Sequence, residues 1–220
     1  MYVTGNLNNH QFSLLTKEIS NLQTPSKKIP VVNPTESGSI SEKIIKDKSL
    51  QSAIKIGKKT INRNHADYPG LLLANHILGG YFGSRLMKNI REEKGLTYGI
   101  HSSVNSYLNS GVFSISTETN KDKSEQAISE IEKEVKKLLT VRVEKAELET
   151  AKNHFLGNLQ LEISNPFAVT EKLKNIRLNK LATFYYQDLY KAINATTDKE
   201  LLRITNEHLI PTSFYFVLVG

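Results

Sequence analysis

Residues 79–99 (GGYFGSRLMKNIREEKGLTYG) contain the side chains best suited to chemistry on a carbonyl group. The pattern places Arg91 in the last turn of a helix, Gly95 at the chain reversal and Tyr98 at the start of a strand. A guanidinium and a phenol therefore share one neighbourhood, and both can donate hydrogen bonds to an oxygen that is gaining negative charge. A purely structural interpretation stays open, because an arginine at a helix C-terminus is favoured by the helix dipole.

Motifs for a bound metal or an activated nucleophile are absent from this sequence. A zinc peptidase helix needs two histidines four residues apart, and no two of the six histidines have that spacing. Near the C-terminus, Glu207 and His208 could form the end of such a motif, but Ile204 occupies the position of the first histidine and cannot bind zinc. The chain has no cysteine and no G-x-S-x-G or phosphate-loop motif. We therefore expect no metal and no cofactor in this chain, and we interpret His76, which lies among leucines, as a structural residue.

Composition narrows the class of protein and its partners. The 220 residues are 39% hydrophobic, and the formal charge of +7 comes from lysines interspersed with glutamates. Interspersed charge is typical of a solvated surface rather than of a nucleic-acid-binding face, so we expect no nucleic-acid partner. No apolar run is long enough to span a bilayer, and residues 1–6 do not form a signal peptide. Localisation stays open between a bacterial-type cytoplasm and periplasm, and the abrupt start suggests an excised domain.

The periodicity of apolar residues predicts an α+β fold, with helices covering one face of a mainly antiparallel sheet. We expect one domain over 1–220, with a proline- and serine-containing connector at 24–50. Asp67 and Asn120 are predicted to cap the helices that follow them. The predicted strands are 1–5, 51–57, 97–107, 112–119 and 213–219. The predicted helices are 68–80, 84–93, 121–139, 144–163, 198–209, one at 11–22 and one beginning at 165–166.

Several of these segments, spread over nearly the whole chain, resemble the C-terminal, non-catalytic half of the insulinase/pitrilysin-like zinc metallopeptidases. This group includes mitochondrial processing peptidase and the core proteins of the respiratory cytochrome reductase. The segments that carry the resemblance are MYVTGN (1–6), QSAIKIG (51–57), DY (67–68), NHILGG (75–80), SRL (84–86), IREEKGLTY (90–98), Gly111, the charged helix after Thr119, EL (147–148) and AK (151–152).

The resemblance implies one half of a clamshell that closes around a peptide or unfolded protein. The other half, a homologous domain or a separate subunit, would carry the zinc. In the family the zinc-less half supplies an Arg and a Tyr that contact the substrate near the scissile bond, and these correspond to Arg91 and Tyr98. We therefore expect a non-catalytic, substrate-binding half of a zinc metalloendopeptidase, with no activity from this chain alone. The alternative is a structural or assembly protein that keeps the fold without proteolysis.

Overall fold

The computed structural model describes residues 2–22 and 40–220. Within them, five strands form one sheet in the order β1-β5-β2-β4-β3. Only β1 and β5 pair in parallel, and the other neighbours are antiparallel, which confirms the predicted mainly antiparallel sheet. The strands are β1 (Ser41–Ile44), β2 (Gln51–Thr60), β3 (Thr97–Ser106), β4 (Gly111–Asn120) and β5 (Tyr215–Val219).

Helices cover one face of this sheet, and the core lies between the two layers. Because side chains alternate along a strand, Ile56, Phe113 and Ile115 point into the core and are at most 1% exposed. The next residues along β2 and β4, such as Lys55, lie on the opposite face. That face carries mainly polar side chains.

The helical layer follows the predicted order, with one helix that the sequence pattern did not indicate. The unpredicted helix, α6, buries Leu189 and Ile193, which stand four residues apart on one face. Among the described residues, no helix is both long and apolar enough to cross a membrane. The α-helices are α1 (Asn9–Ser20), α2 (Tyr68–Asn75), α3 (Ser124–Thr140), α4 (Lys145–Ile163), α5 (Pro166–Leu178), α6 (Tyr185–Ala195) and α7 (Asp198–His208), with π-helical segments at His76–Gly80 and Met87–Glu93.

The structure differs from the sequence prediction near the N-terminus. Residues 2–5, predicted as a strand, are not in the sheet, and Met1 lies outside the described residues. The predicted connector 24–50 contains β1, while its residues 24–39 lie outside the described part. Backbone hydrogen bonds hold β1 against β5, and the Phe216 N–H also donates to the carbonyl of Ile40, just before β1, at 2.8 Å. Such bonds depend little on side-chain type, so periodicity gave no signal for β1.

Two predicted helix caps are wrong. Asp67 and Asn120 precede helical segments, but neither side chain accepts a capping hydrogen bond. The carboxylate of Asp67 instead contacts Arg203 and His208 on α7. A tertiary ion pair has replaced the local cap, which sequence spacing cannot reveal.

Candidate functional site

The side chain of Arg91 is exposed because its neighbours in the chain anchor the helical segment. Ile90 is fully buried, and its carbonyl accepts the Leu96 N–H at 2.9 Å. Gly95 has φ of 59°, a left-handed conformation that costs glycine little and ends the helix. Its N–H donates to the Arg91 carbonyl at 3.1 Å, so the chain reverses directly below Arg91.

A register irregularity at the start of β3 presents Tyr98. Pairing with β4 shifts between Thr97 and Ile100, so the residues between them leave the regular ladder. The Thr97 hydroxyl donates to the Glu118 carbonyl at 2.6 Å and fixes this irregularity. Bulges of this kind redirect side chains at the end of a strand. The Tyr98 side chain is accordingly 91% exposed.

Arg91 and Tyr98 line one cleft of about 320 Å³. Tyr98 also borders a second cleft of about 390 Å³ on the uncovered face of the sheet, beside Lys55 and His101. Within residues 2–22 and 40–220, neither Arg91 nor Tyr98 makes a side-chain hydrogen bond or ion pair. The structure thus brings together the two residues predicted from sequence, while their role on a substrate stays a prediction.

Phe82 contacts Arg91, a neighbour that the sequence pattern did not indicate. The Arg91 guanidinium lies 5.1 Å from the centre of the Phe82 ring, which is a cation–π distance. Phe82 remains exposed, so the ring supports Arg91 at the surface rather than within the core. An aromatic residue in the glycine-containing loop was the available signal, but its distance from Arg91 in the chain concealed the contact.

Among the described residues, one group could be considered as a metal site: the potential ligand atoms of His65, Asp67 and His208 all lie within 4.8 Å of one another. The Asp67 carboxylate already accepts from Arg203 at 2.5 Å and from His208 at 2.8 Å. These hydrogen bonds, with that from Arg203 the strongest influence, lower the pKa of Asp67 to about 2. The Arg203 guanidinium would repel a metal cation, and it occupies the oxygens of the Asp67 carboxylate. The arrangement therefore fits a structural ion pair between the start of α2 and α7 better than a metal centre.

His76 is buried, in agreement with its predicted structural role. Its Nε2 lies 3.0 Å from Nδ1 of His154, and its ring stacks on Tyr81 at 4.6 Å between centroids. Burial, and secondly the neighbouring His154, lower the pKa of His76 to about 4. The imidazole is consequently neutral at physiological pH and packs as part of an aromatic cluster.

The fold and the cleft together define an α+β domain that exposes an Arg–Tyr pair but has no paired zinc-binding histidines in its sequence. Residues 1–155 match the family model described as "Peptidase M16 inactive domain". The chain belongs to this family. The match confirms the resemblance to the non-catalytic half of the insulinase-like peptidases.

Similar proteins include longer zinc proteases. The uncharacterized zinc protease YmxG of Bacillus subtilis is 28% identical over 165 residues, which cover 74% of this chain and 40% of that protein. A zinc protease of Rickettsia bellii is 39% identical over 85 residues, covering 39% of this chain and 20% of that protein. The chain thus matches less than half the length of these curated relatives.

Solved structures share the fold. The peptidase M16 inactive domain from Pseudomonas fluorescens superposes with a TM-score of 0.84 at 24% identity, covering 97% of this chain and 52% of that one. A protease from Helicobacter pylori gives a TM-score of 0.83 at 20% identity, covering 97% of this chain and 53% of that one. At these sequence identities the structural similarity establishes the fold, and the function has to be inferred from the site.

Proposed function

We propose that this chain is the substrate-holding half of a zinc metalloendopeptidase whose zinc lies in a homologous partner domain or subunit, the two closing around a peptide. Membership of the inactive-domain family supports this proposal, as do the longer relatives named zinc proteases. The sequence has no paired-histidine motif, so we assign the zinc to the partner.

The chemistry divides between the two halves. Zinc in the partner would supply the Lewis acid and the activated water. On this chain, Arg91 and Tyr98 donate hydrogen bonds to the substrate backbone near the scissile bond. Donors that bind more strongly as charge develops on the carbonyl oxygen stabilise the transition state and raise turnover. Phe82 holds the Arg91 guanidinium beside the cleft, since their contact limits the freedom of a long side chain.

One observation carries the proposal. Two strong donors, Arg91 and Tyr98, share a cleft and have no hydrogen-bonding partner among the described residues of this chain. A pair used only for folding would be expected to point inward, with Arg91 in an ion pair and Tyr98 packed. Donors left free at the surface are instead available for a ligand.

The test uses this chain together with a zinc-bearing half, joined or co-expressed, and measures peptide hydrolysis. We expect Tyr98→Phe to lower turnover by roughly 10- to 100-fold with a smaller change in KM, since loss of one oxyanion donor typically costs about 10²–10³ and zinc would carry part of the charge. Arg91→Ala should weaken both peptide affinity and turnover. Tyr107→Phe and Arg142→Ala are matched controls, because both residues are also exposed and lie outside the two clefts.

Unchanged turnover and peptide affinity in both Tyr98→Phe and Arg91→Ala would refute the substrate-holding role in a correctly folded complex. A structural or assembly function without proteolysis would then replace it. Formation of the complex is measured separately by size-exclusion chromatography, so a failure to assemble is not mistaken for a loss of catalysis.

A further inference from the structure

A third cavity, of about 380 Å³, lies among helices α2, α4, α5 and α6, and neither Arg91 nor Tyr98 lines it. We call it the helical pocket. Its wall is apolar where α4 and α6 contribute Phe155, Leu159 and Leu189. Its cationic and hydroxyl groups are Arg63, Tyr68, Lys172, Tyr185 and Tyr186. The volume falls in the lower part of the range of small-molecule sites, roughly 300–1,000 Å³.

The charge of Arg63 in the helical pocket has no counter-ion within the described part of the chain. Its Nε is buried without a hydrogen-bond partner, and its guanidinium forms no ion pair. The carboxylate that lines the pocket belongs to Glu162, which pairs with Lys172. Lys172 also lies 4.6 Å from the centre of the Tyr186 ring. The charge of Lys172 is therefore balanced, whereas the charge of Arg63 is not, and a partly buried unpaired charge is costly.

The groups around Arg63 are neutral hydrogen-bond donors. Tyr68 is only 4% exposed, and burial raises the pKa of both Tyr68 and Tyr185, so their hydroxyls stay protonated. Arg63 acts on both tyrosines in the opposite direction, through its charge on Tyr185 and through its charge and a hydrogen bond on Tyr68, whose hydroxyl also contacts Ser106. The pocket thus combines one uncompensated positive charge with O–H donors and an apolar wall.

We propose that the helical pocket binds a small organic oxyanion, a carboxylate or a phosphate with a short apolar body. Arg63 provides the counter-charge and Tyr68 and Tyr185 donate hydrogen bonds to the oxygens. Arginine suits this role because its planar fork matches two oxygens of such a group. The site is separate from the cleft of Arg91 and Tyr98, so it stands or falls independently of the peptidase proposal.

The test titrates the full chain with inorganic phosphate and, separately, with acetate, with ionic strength held constant by sodium chloride. Binding is followed by NMR shifts of the Arg63 Nε–H and of the backbone of α2 and α6. We expect saturable shifts with at least one ion and a loss of affinity of at least about tenfold in Arg63→Met. Arg142→Met is the matched control, since Arg142 is an exposed arginine outside this pocket, and it should bind as the original chain does.

A response to phosphate alone or to acetate alone would support the site and assign the class of oxyanion. No saturable shift with either ion would overturn the proposal, as would equal affinity in Arg63→Met and the original chain. Should Arg63→Met fail to fold, Tyr185→Phe provides the decision, because it removes one donor and keeps the ring. Tyr185→Phe is expected to weaken binding severalfold, and unchanged affinity in that variant would also contradict the proposal.

Discussion

Replacing Asp67 by asparagine should lower the free energy of unfolding by about 2 kcal/mol at pH 7. The magnitude follows from the pKa of this carboxyl, which the folded state lowers from 3.8 to about 2, chiefly through its hydrogen bond with Arg203. Each unit of pKa shift corresponds to about 1.4 kcal/mol of differential interaction. The lowering of the Asp67 pKa therefore corresponds to about 2.5 kcal/mol before screening. Because the Asp67 side chain is 14% exposed and that of Arg203 is 45% exposed, solvent screening reduces this free energy to about 2 kcal/mol.

The effect of Asp67→Asn should also depend on pH. The folded pKa of Asp67 is depressed, so its contribution is fully present above the unfolded value of 3.8 and is lost as pH falls through about 2. Urea denaturation from pH 7 to pH 3 should therefore show the gap between the two proteins narrowing to about half at pH 3. Asp122→Asn, which changes an exposed aspartate in a short helical turn, is the matched control and should have little effect at either pH.

A double-mutant cycle identifies the partner of Asp67. If the ion pair with Arg203 is the cause, Asp67→Asn and Arg203→Met should be non-additive, with a coupling energy of at least about 1 kcal/mol. Additive effects, or a stability gap between Asp67→Asn and the original chain that stays constant from pH 7 to pH 3, would refute the reasoning.

Three further predictions concern the cleft, the metal content and the backbone. Phe82→Ala should reduce kcat/KM of the assembled peptidase about twofold to fivefold without lowering the melting temperature, because an exposed cation–π contact with Arg91 contributes about 0.5–1 kcal/mol. Metal analysis of the purified chain should find no stoichiometric zinc, and about one zinc per chain that is lost in His208→Ala would contradict this. Gly95→Ala should lower the free energy of unfolding by about 1 kcal/mol, because the φ of 59° is unfavourable for a residue with a Cβ atom. Gly157→Ala should raise it by about 0.5–1 kcal/mol, because alanine favours the helix and its Cβ would meet no atom. Urea denaturation measures both.

Much of the fold could be predicted from local patterns. The β3–β4 hairpin was predicted from two alternating runs joined by a turn at Asn109–Gly111, and the two strands pair antiparallel as expected. Helix α5 begins at Pro166, with the Asn165 side chain accepting from Phe167 N–H, as the Asn-Pro signal indicated. Strand β1 was not predicted because it depends on backbone pairing with β5. Helix α6 was also missed, although its buried Leu189 and Ile193 stand at helical spacing.

For the candidate site, local sequence signals were enough to predict that Arg91 and Tyr98 are neighbours. A helix end, a glycine reversal and a strand start leave few ways to arrange the eight residues from Arg91 to Tyr98. Tertiary structure decided what lies around them, because Phe82 reaches Arg91 only when the glycine-containing loop folds back. It also assembled the helical pocket, where Arg63 and Tyr185 approach from distant parts of the chain. Spacing encodes contacts within a few residues, whereas burial and long-range pairing depend on how whole elements pack.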